Sequence, residues 1–127
     1  MTDSNFDIRI ILVDDEKGNI LTGERLLNRH FEVITALNGQ AALEILRQEK
    51  ERIDCLITDI RMPVMGGAEL IQQAKKILPD LKIIVVTGFS MTTEVAKEIK
   101  TGLVQEFVQK PIDYKYLTAL IQKLVKG

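Results

Sequence analysis

The chain has 127 residues, of which 46% are hydrophobic and 28% charged, and its formal net charge is −1. This length and composition predict one folded domain with a sizeable core. The charge balance gives no electrostatic footprint for nucleic acid, and no apolar run approaches the ~20 residues of a membrane helix. The polar start lacks a signal-peptide core, and a single cysteine, Cys55, excludes an intramolecular disulfide. We therefore expect a cytoplasmic protein with no direct nucleic-acid or membrane contact.

Five predicted strands alternate with five predicted helices. The strands are short apolar runs over residues 8–13, 31–36, 53–58, 83–86 and 105–109. The five helices are predicted to begin, in chain order, at residues 18–19, after the N-cap Asn38, at Gly67, at Thr92 or Thr93, and after the N-cap Asp113. The fourth helix has a thin apolar stripe and ends at Gly102. This alternation predicts the α/β class: a doubly wound (βα)5 sandwich with a parallel five-stranded sheet and right-handed crossovers.

Acidic side chains follow two of these strands. Asp14 and Asp15 end the first strand, and Asp59 ends the third. In a doubly wound, flavodoxin-like sheet of order 2-1-3-4-5, these strands are neighbours at the point where the strand order reverses. Three carboxylates at one edge would repel one another, and a bound Mg²⁺ would relieve that repulsion. The sequence therefore predicts a magnesium site here.

Two more polar residues follow the remaining central strands. Thr87 offers a hydroxyl after the fourth strand, and Lys110 offers an ammonium after the fifth. A carboxylate such as Asp59 beside Mg²⁺ can attack phosphorus, and the transferred phosphoryl group needs cations and hydrogen-bond donors already in place. Together these residues predict phosphoryl transfer at this edge.

Four motifs, taken in order, resemble the receiver domain of response regulators in two-component signalling, over about residues 8–126. They are Val13-Asp14-Asp15-Glu16, Asp59-Ile60-Arg61-Met62-Pro63-Val64-Met65-Gly66-Gly67, Thr87-Gly88 and Phe107-Val108-Gln109-Lys110-Pro111. The resemblance implies that Asp59 accepts a phosphoryl group from a sensor histidine kinase or a histidine phosphotransfer protein. It implies that Thr87 and Lys110 hold phosphoryl oxygens and that the Lys110–Pro111 peptide is cis.

The same resemblance implies a metal set. Asp15, Asp59 and the backbone carbonyl of Arg61 would bind Mg²⁺ directly, and Asp14 would act through metal-bound water. Three positions depart from the pattern of such domains. Gly66 replaces a common aspartate, Gly88 replaces the usual alanine, and Phe107 replaces a frequent switch tyrosine.

The leading hypothesis is a phosphorylation-dependent switch whose surface at the fourth helix, fifth strand and fifth helix changes to control an output. Its only catalysis would be its own phosphorylation and dephosphorylation. Alternatives are a Mg²⁺-dependent phosphohydrolase, a pseudo-receiver that binds partners without phosphorylation, and a flavin-binding domain. Adjacency of Asp14 and Asp15 argues against the first, since dehalogenase-like enzymes space these acids two residues apart.

We expect residues 1–127 to form a single domain, with no room for an output domain after the last helix. The ending at Lys126-Gly127 favours excision from a longer regulator or hybrid kinase. An output domain in that longer chain and a phosphorylation-dependent dimer stay open as partners. The lone histidine, His30, is expected to be solvated at a helix end.

Overall fold

The computed structural model describes residues 7–49, 52–59, 67–88 and 102–127, and these form five strands and four helices. The strands are β1 (Arg9–Val13), β2 (Glu32–Ala36), β3 (Cys55–Asp59), β4 (Lys82–Thr87) and β5 (Glu106–Gln109). The helices are α1 (Lys17–Leu27), α2 (Gly39–Glu49), α3 (Gly67–Ile77) and α4 (Tyr114–Lys126). The strands lie within two residues of their predicted bounds.

All five strands are parallel, in the order β2-β1-β3-β4-β5. β1 pairs on both sides: Ile11 lies opposite Ile34 of β2 and Leu56 of β3. The predicted doubly wound, flavodoxin-like sheet is therefore confirmed. The order reverses between β1 and β3, so the carboxyl ends of these two strands meet at the crevice where ligands bind in such sheets.

The sheet separates two apolar cores because successive side chains of a strand point to opposite faces. In β1, Ile11 and Val13 pack in one core, whereas Ile10 and Leu12 pack in the other. The first core also contains buried residues of α2 and α3, and the second contains buried residues of α1 and α4. Cys55 is fully buried in the second core, and burial raises the pKa of its thiol. It is a small residue of the core.

Two predicted helix caps are confirmed. Asn38 Oδ1 accepts the Ala41 backbone N–H at 2.8 Å at the start of α2. Asp113 Oδ1 accepts the N–H groups of Lys115 (3.0 Å) and Tyr116 (3.2 Å) at the start of α4. These bonds satisfy N–H groups that have no partner inside the helix, and they fix where the chain enters α2 and α4.

Several sequence predictions lie outside the described residues. They concern the helix between Thr92 and Gly102 and the segment that contains Arg61 and Gly66. Gly102 itself has φ +85°, a conformation that favours glycine.

The two tyrosines of α4 differ from each other. The helical spacing of the sequence predicts that both lie largely off the apolar stripe of this helix. Tyr116 is exposed, but Tyr114 is half-buried and packs against the second core. The prediction was wrong for Tyr114 because α1 presents a glycine, Gly23, beside its hydroxyl. Within the described ranges, every helix is too short or too polar to cross a bilayer.

Candidate functional site

The carboxyl edge of the sheet carries four of the residues singled out from the sequence. Asp14 follows β1, Asp59 is the last residue of β3, Thr87 is the last residue of β4, and Lys110 follows β5. Parallel pairing places all four strand ends on the same side. Asp14 and Thr87 are buried, with 7% and 1% of their surface exposed.

Lys110 joins the two central acids. Its Nζ lies 2.9 Å from Asp59 Oδ2 and 3.3 Å from Asp14 Oδ2. The carboxylate side chains are only 10% (Asp14) and 12% (Asp59) exposed, so little water separates these charges from the ammonium. Partial burial lowers the pKa of Lys110, but the hydrogen bond to Asp59 and the charges of both acids outweigh burial and raise it. The ammonium is thus held firmly in its charged form.

Asp14 is held from its other side by the start of α1. Its Oδ1 accepts the Glu16 backbone N–H at 2.9 Å, and its Oδ2 accepts from Asn19 Nδ2 at 3.2 Å. The same Asn19 nitrogen also donates to Glu16 Oε1 at 3.2 Å. Asn19 was missed by the sequence interpretation, although its position in the first turn after the acidic pair was the available signal.

Backbone bonds align the other strand ends. The Lys110 N–H donates to the Thr87 carbonyl oxygen at 2.8 Å, which fixes the end of β5 against that of β4. The Lys110–Pro111 peptide is cis, as the resemblance implied. The buried Thr58 hydroxyl donates to the Asp59 carbonyl oxygen at 2.9 Å. The strand ends that carry the site are therefore held by backbone hydrogen bonds.

Two members of the predicted metal set are not among the contacts of this cluster that the structure describes. Asp15 is exposed, and Arg61 lies outside the described residues. Among residues 7–49, 52–59, 67–88 and 102–127, no group of three acidic, histidine or cysteine side chains could hold a metal ion. The Lys110 ammonium lies between Asp14 and Asp59 and relieves the repulsion between their carboxylates. The sequence predicts that Mg²⁺ relieves this repulsion. The carboxylate oxygens are nevertheless the hard donors that Mg²⁺ prefers, so the donor set fits this ion.

A cavity of about 520 Å³ opens beside the acids. Its polar lining residues include Asp14, Asp59, Lys110 and Asn19, and Ile112 and Tyr114 also line it. Burial raises the pKa of the Tyr114 phenol, and the charge of Asp14 adds to this effect. Tyr114 is the second residue that sequence reasoning missed, because only packing brings α4 beside α1.

A doubly wound parallel sheet with paired acids and a lysine at its switch-point edge defines a flavodoxin-like α/β domain. Residues 10–122 match the family model described as the response regulator receiver domain. The chain belongs to this family and is a receiver domain of two-component systems.

Individual relatives agree with this assignment. The chain is 33% identical over 105 residues to the transcriptional regulatory protein GlrR of Escherichia coli, covering 82% of this chain and 23% of that protein. It is 34% identical to hybrid signal transduction histidine kinase M of Dictyostelium discoideum, covering 91% of this chain and 5% of that protein. The crystal structure of a response regulator receiver domain protein from Clostridium thermocellum superposes with a TM-score of 0.83 at 27% identity, covering 94% of both chains. The chain thus spans less than a quarter of these two curated relatives.

Proposed function

We propose that this chain is a Mg²⁺-dependent phosphorylation switch that accepts a phosphoryl group on Asp59. The observation that carries the proposal is the bridge from Lys110 Nζ to the carboxylates of Asp59 and Asp14. A lysine held charged beside a strand-end carboxylate is already in place to stabilise negative charge on a transferred phosphoryl group. Membership of the receiver family supports the same role.

In the proposed reaction a carboxylate oxygen of Asp59 forms a bond to phosphorus. The bond from phosphorus to the donor's leaving atom breaks, and that atom takes the electron pair. Asp59 becomes an acyl phosphate. The Lys110 ammonium, which now contacts Asp59 Oδ2 at 2.9 Å, pairs with a phosphoryl oxygen, and the Thr87 side chain holds another.

The proposed metal set is Asp15, Asp59 and the backbone carbonyl of Arg61, with Asp14 acting through water. Bound there, Mg²⁺ would neutralise charge on the phosphoryl oxygens and on the acids. The exposed position of Asp15 supports this proposal, since a direct ligand to an ion at the mouth of the site must be reachable from solvent.

The proposed partners are a sensor histidine kinase or a histidine phosphotransfer protein. Relatives that carry a matching segment include a hybrid histidine kinase and a transcriptional regulatory protein, both far longer than this chain. We therefore propose a cytoplasmic module that controls an output domain. The output signal would pass through the β4 and β5 ends and the segment between them.

Incubation with acetyl phosphate and Mg²⁺, followed by intact mass measurement, tests the proposal. We expect one phosphoryl adduct that is sensitive to hydroxylamine, as an acyl phosphate should be. Asp59→Asn should abolish the adduct because the amide is not a nucleophile, whereas Asp54→Asn at the other end of the sheet should keep it. An adduct that persists in the Asp59→Asn protein at the wild-type rate would mean that the nucleophile is another residue.

A further inference from the structure

We infer that Asn19 is a positioning residue for the phosphoacceptor site: it holds Asp14 so that the Lys110 ammonium stays directed at Asp59. This inference rests on the proposed function of Asp59. Asn19 lies in the first turn of α1, is half-buried, and lines the cavity beside the acids. Hydrogen bonds connect Glu16 to Asn19, Asn19 to Asp14, and Asp14 to Lys110. In this chain of hydrogen bonds only Asp14 lies between Asn19 and the lysine.

Asn19 and Lys110 donate to the same oxygen atom. Asp14 Oδ2 accepts from Asn19 Nδ2 at 3.2 Å and from Lys110 Nζ at 3.3 Å. The shorter bond of the ammonium is to Asp59, at 2.9 Å. If the Asn19 amide is removed, Lys110 is the side-chain donor that remains for the nearly buried Asp14 Oδ2 within the described part of the chain. A buried carboxylate oxygen is costly to leave without donors, so the ammonium should move toward Asp14 and away from Asp59.

The orientation of the Asn19 amide follows from its two acceptors. One nitrogen donates to carboxylates on both sides, Asp14 Oδ2 and Glu16 Oε1, at 3.2 Å each. An asparagine amide has two N–H donors on that nitrogen, and both are used here. Glu16 thus keeps the amide turned toward Asp14. An acceptor at this position would face two negative charges.

This geometry distinguishes donation from packing. Asn19→Asp keeps the shape of the side chain but replaces the donor with a third negative charge. Asn19→Ala removes both shape and donor. If Asn19 only fills space, the aspartate variant should behave like wild type. If Asn19 acts by donating to Asp14, both variants should be impaired, and the aspartate should be no better than the alanine.

The test measures the phosphorylation rate with acetyl phosphate as a function of Mg²⁺ concentration. For Asn19→Ala we expect the maximal rate at saturating Mg²⁺ to fall about tenfold, the factor that ~1.4 kcal/mol of barrier represents. Asn19→Asp should fall at least as far. The matched control is Asn28→Ala, the same chemical change at the exposed C-terminal end of the same helix, which should keep the wild-type rate. Urea unfolding of each variant checks that the sites compared are folded.

Several results would overturn the inference. One is a wild-type maximal rate in Asn19→Ala, and another is a wild-type rate in Asn19→Asp alone, which would assign the residue to packing. A change confined to the half-saturating Mg²⁺ concentration would assign it to the metal site instead of to Lys110. Absence of an adduct in the wild-type protein would overturn the proposed function and this inference together, whereas a wild-type adduct with unaffected variants would overturn only the inference.

Discussion

Lys110 contacts two acids that lie 51 and 96 residues away in the sequence. The ammonium and both carboxylates are largely shielded from water, so each charge depends on the others for compensation. Arg9 at the opposite edge of the sheet also bridges two acids, Glu32 and Glu49, and the hydrogen bond from Arg9 lowers the pKa of Glu49. The arginine cluster ties β1, β2 and α2 together through the starts of the two strands and the end of the helix, so we assign it to structure.

The raised pKa of Lys110 predicts how its contribution to stability depends on pH. A lysine whose pKa is higher in the folded state stabilises that state below its unfolded pKa of about 10.4, and this stabilisation is lost as the pH rises through the folded value. We expect Lys110→Met to lower the free energy of unfolding by about 1–3 kcal/mol at pH 8, because two nearly buried acids lose a charged donor.

Urea unfolding of both proteins between pH 7 and pH 11 provides the measurement. The difference between wild type and Lys110→Met should stay constant up to about pH 9 and shrink only above about pH 10.4. Lys115→Met, at an exposed lysine on the first turn of α4, is the control and should change little. A difference that already disappears between pH 7 and pH 9 would contradict the assigned charge state.

At the scale of elements, α1 is the helix that both positions the site and packs closely on the sheet. Gly23 faces the second core, where a Cβ would lie 2.6 Å from Leu12 Cδ2 and 3.4 Å from the Tyr114 hydroxyl oxygen. Gly18 lies on the same helix with no heavy atom within 4 Å of the Cβ position. A Cβ at position 23 would therefore force the buried Leu12 side chain to shift, whereas a Cβ at position 18 would meet no neighbour.

This contrast predicts that the same glycine-to-alanine substitution has opposite effects on the free energy of unfolding at the two positions. Gly18→Ala should raise the free energy of unfolding by up to about 1 kcal/mol, because alanine favours the helix. Gly23→Ala should lower it by about 1 kcal/mol net, since overpacking the core costs about 1–3 kcal/mol and outweighs the same helical gain. Urea unfolding of the two variants provides the measurement. A stabilised Gly23→Ala protein would mean that Leu12 and Tyr114 repack freely.

The whole molecule should respond to magnesium if the proposed metal set is correct. Binding to the folded state alone adds about 2.7 kcal/mol of stability when Mg²⁺ is 100-fold above its dissociation constant. Asp15→Asn should reduce this shift because one direct ligand loses its charge. Asp80→Asn, at an exposed acid near the opposite edge of the sheet, should leave the shift unchanged. An urea midpoint of the wild-type protein that is the same with and without saturating Mg²⁺ would rule the site out.

The output route makes a second prediction at this scale. Phe107 lies opposite Val85 and packs partly buried against the first core, two residues before the end of β5. A phosphoryl group held by the Thr87 side chain should shift the ends of β4 and β5 and change the packing of Phe107. We expect this shift to be a change in the populations of two arrangements of the domain. We expect beryllofluoride with Mg²⁺ to alter amide hydrogen exchange mainly in residues 87–110 and hardly in α2.

Asp59→Asn is the control for this exchange experiment, because without the carboxylate the beryllofluoride should have no effect. Equal changes in α2 and in residues 87–110 would contradict the proposed route, as would unchanged exchange near Thr87 and Phe107. Either result would leave Asp59 as the phosphoacceptor and require another path for the signal.

Much of this fold is determined by local sequence. Buried parallel strands appear in the sequence as short apolar runs. Asn38 and Asp113 mark the starts of two helices, and both side chains form the predicted caps. Alternation of strands and helices, with right-handed crossovers, is enough to predict a parallel sheet. Because every parallel strand ends at the same edge, the sequence also places Asp14, Asp59, Thr87 and Lys110 near one another before any contact is known.

Only the tertiary structure decided which of these groups touch. Lys110 pairs with Asp14 and Asp59 because β5 and β1 lie on either side of β3 and β4, whereas the adjacent Asp15 is exposed. Asn19 reaches Asp14, and Tyr114 lies over Gly23, because α1 and α4 share one face of the sheet. Such contacts depend on register and on helix docking between distant segments. Local periodicity encodes which face of an element is buried, but it carries no information about the partner that covers that face.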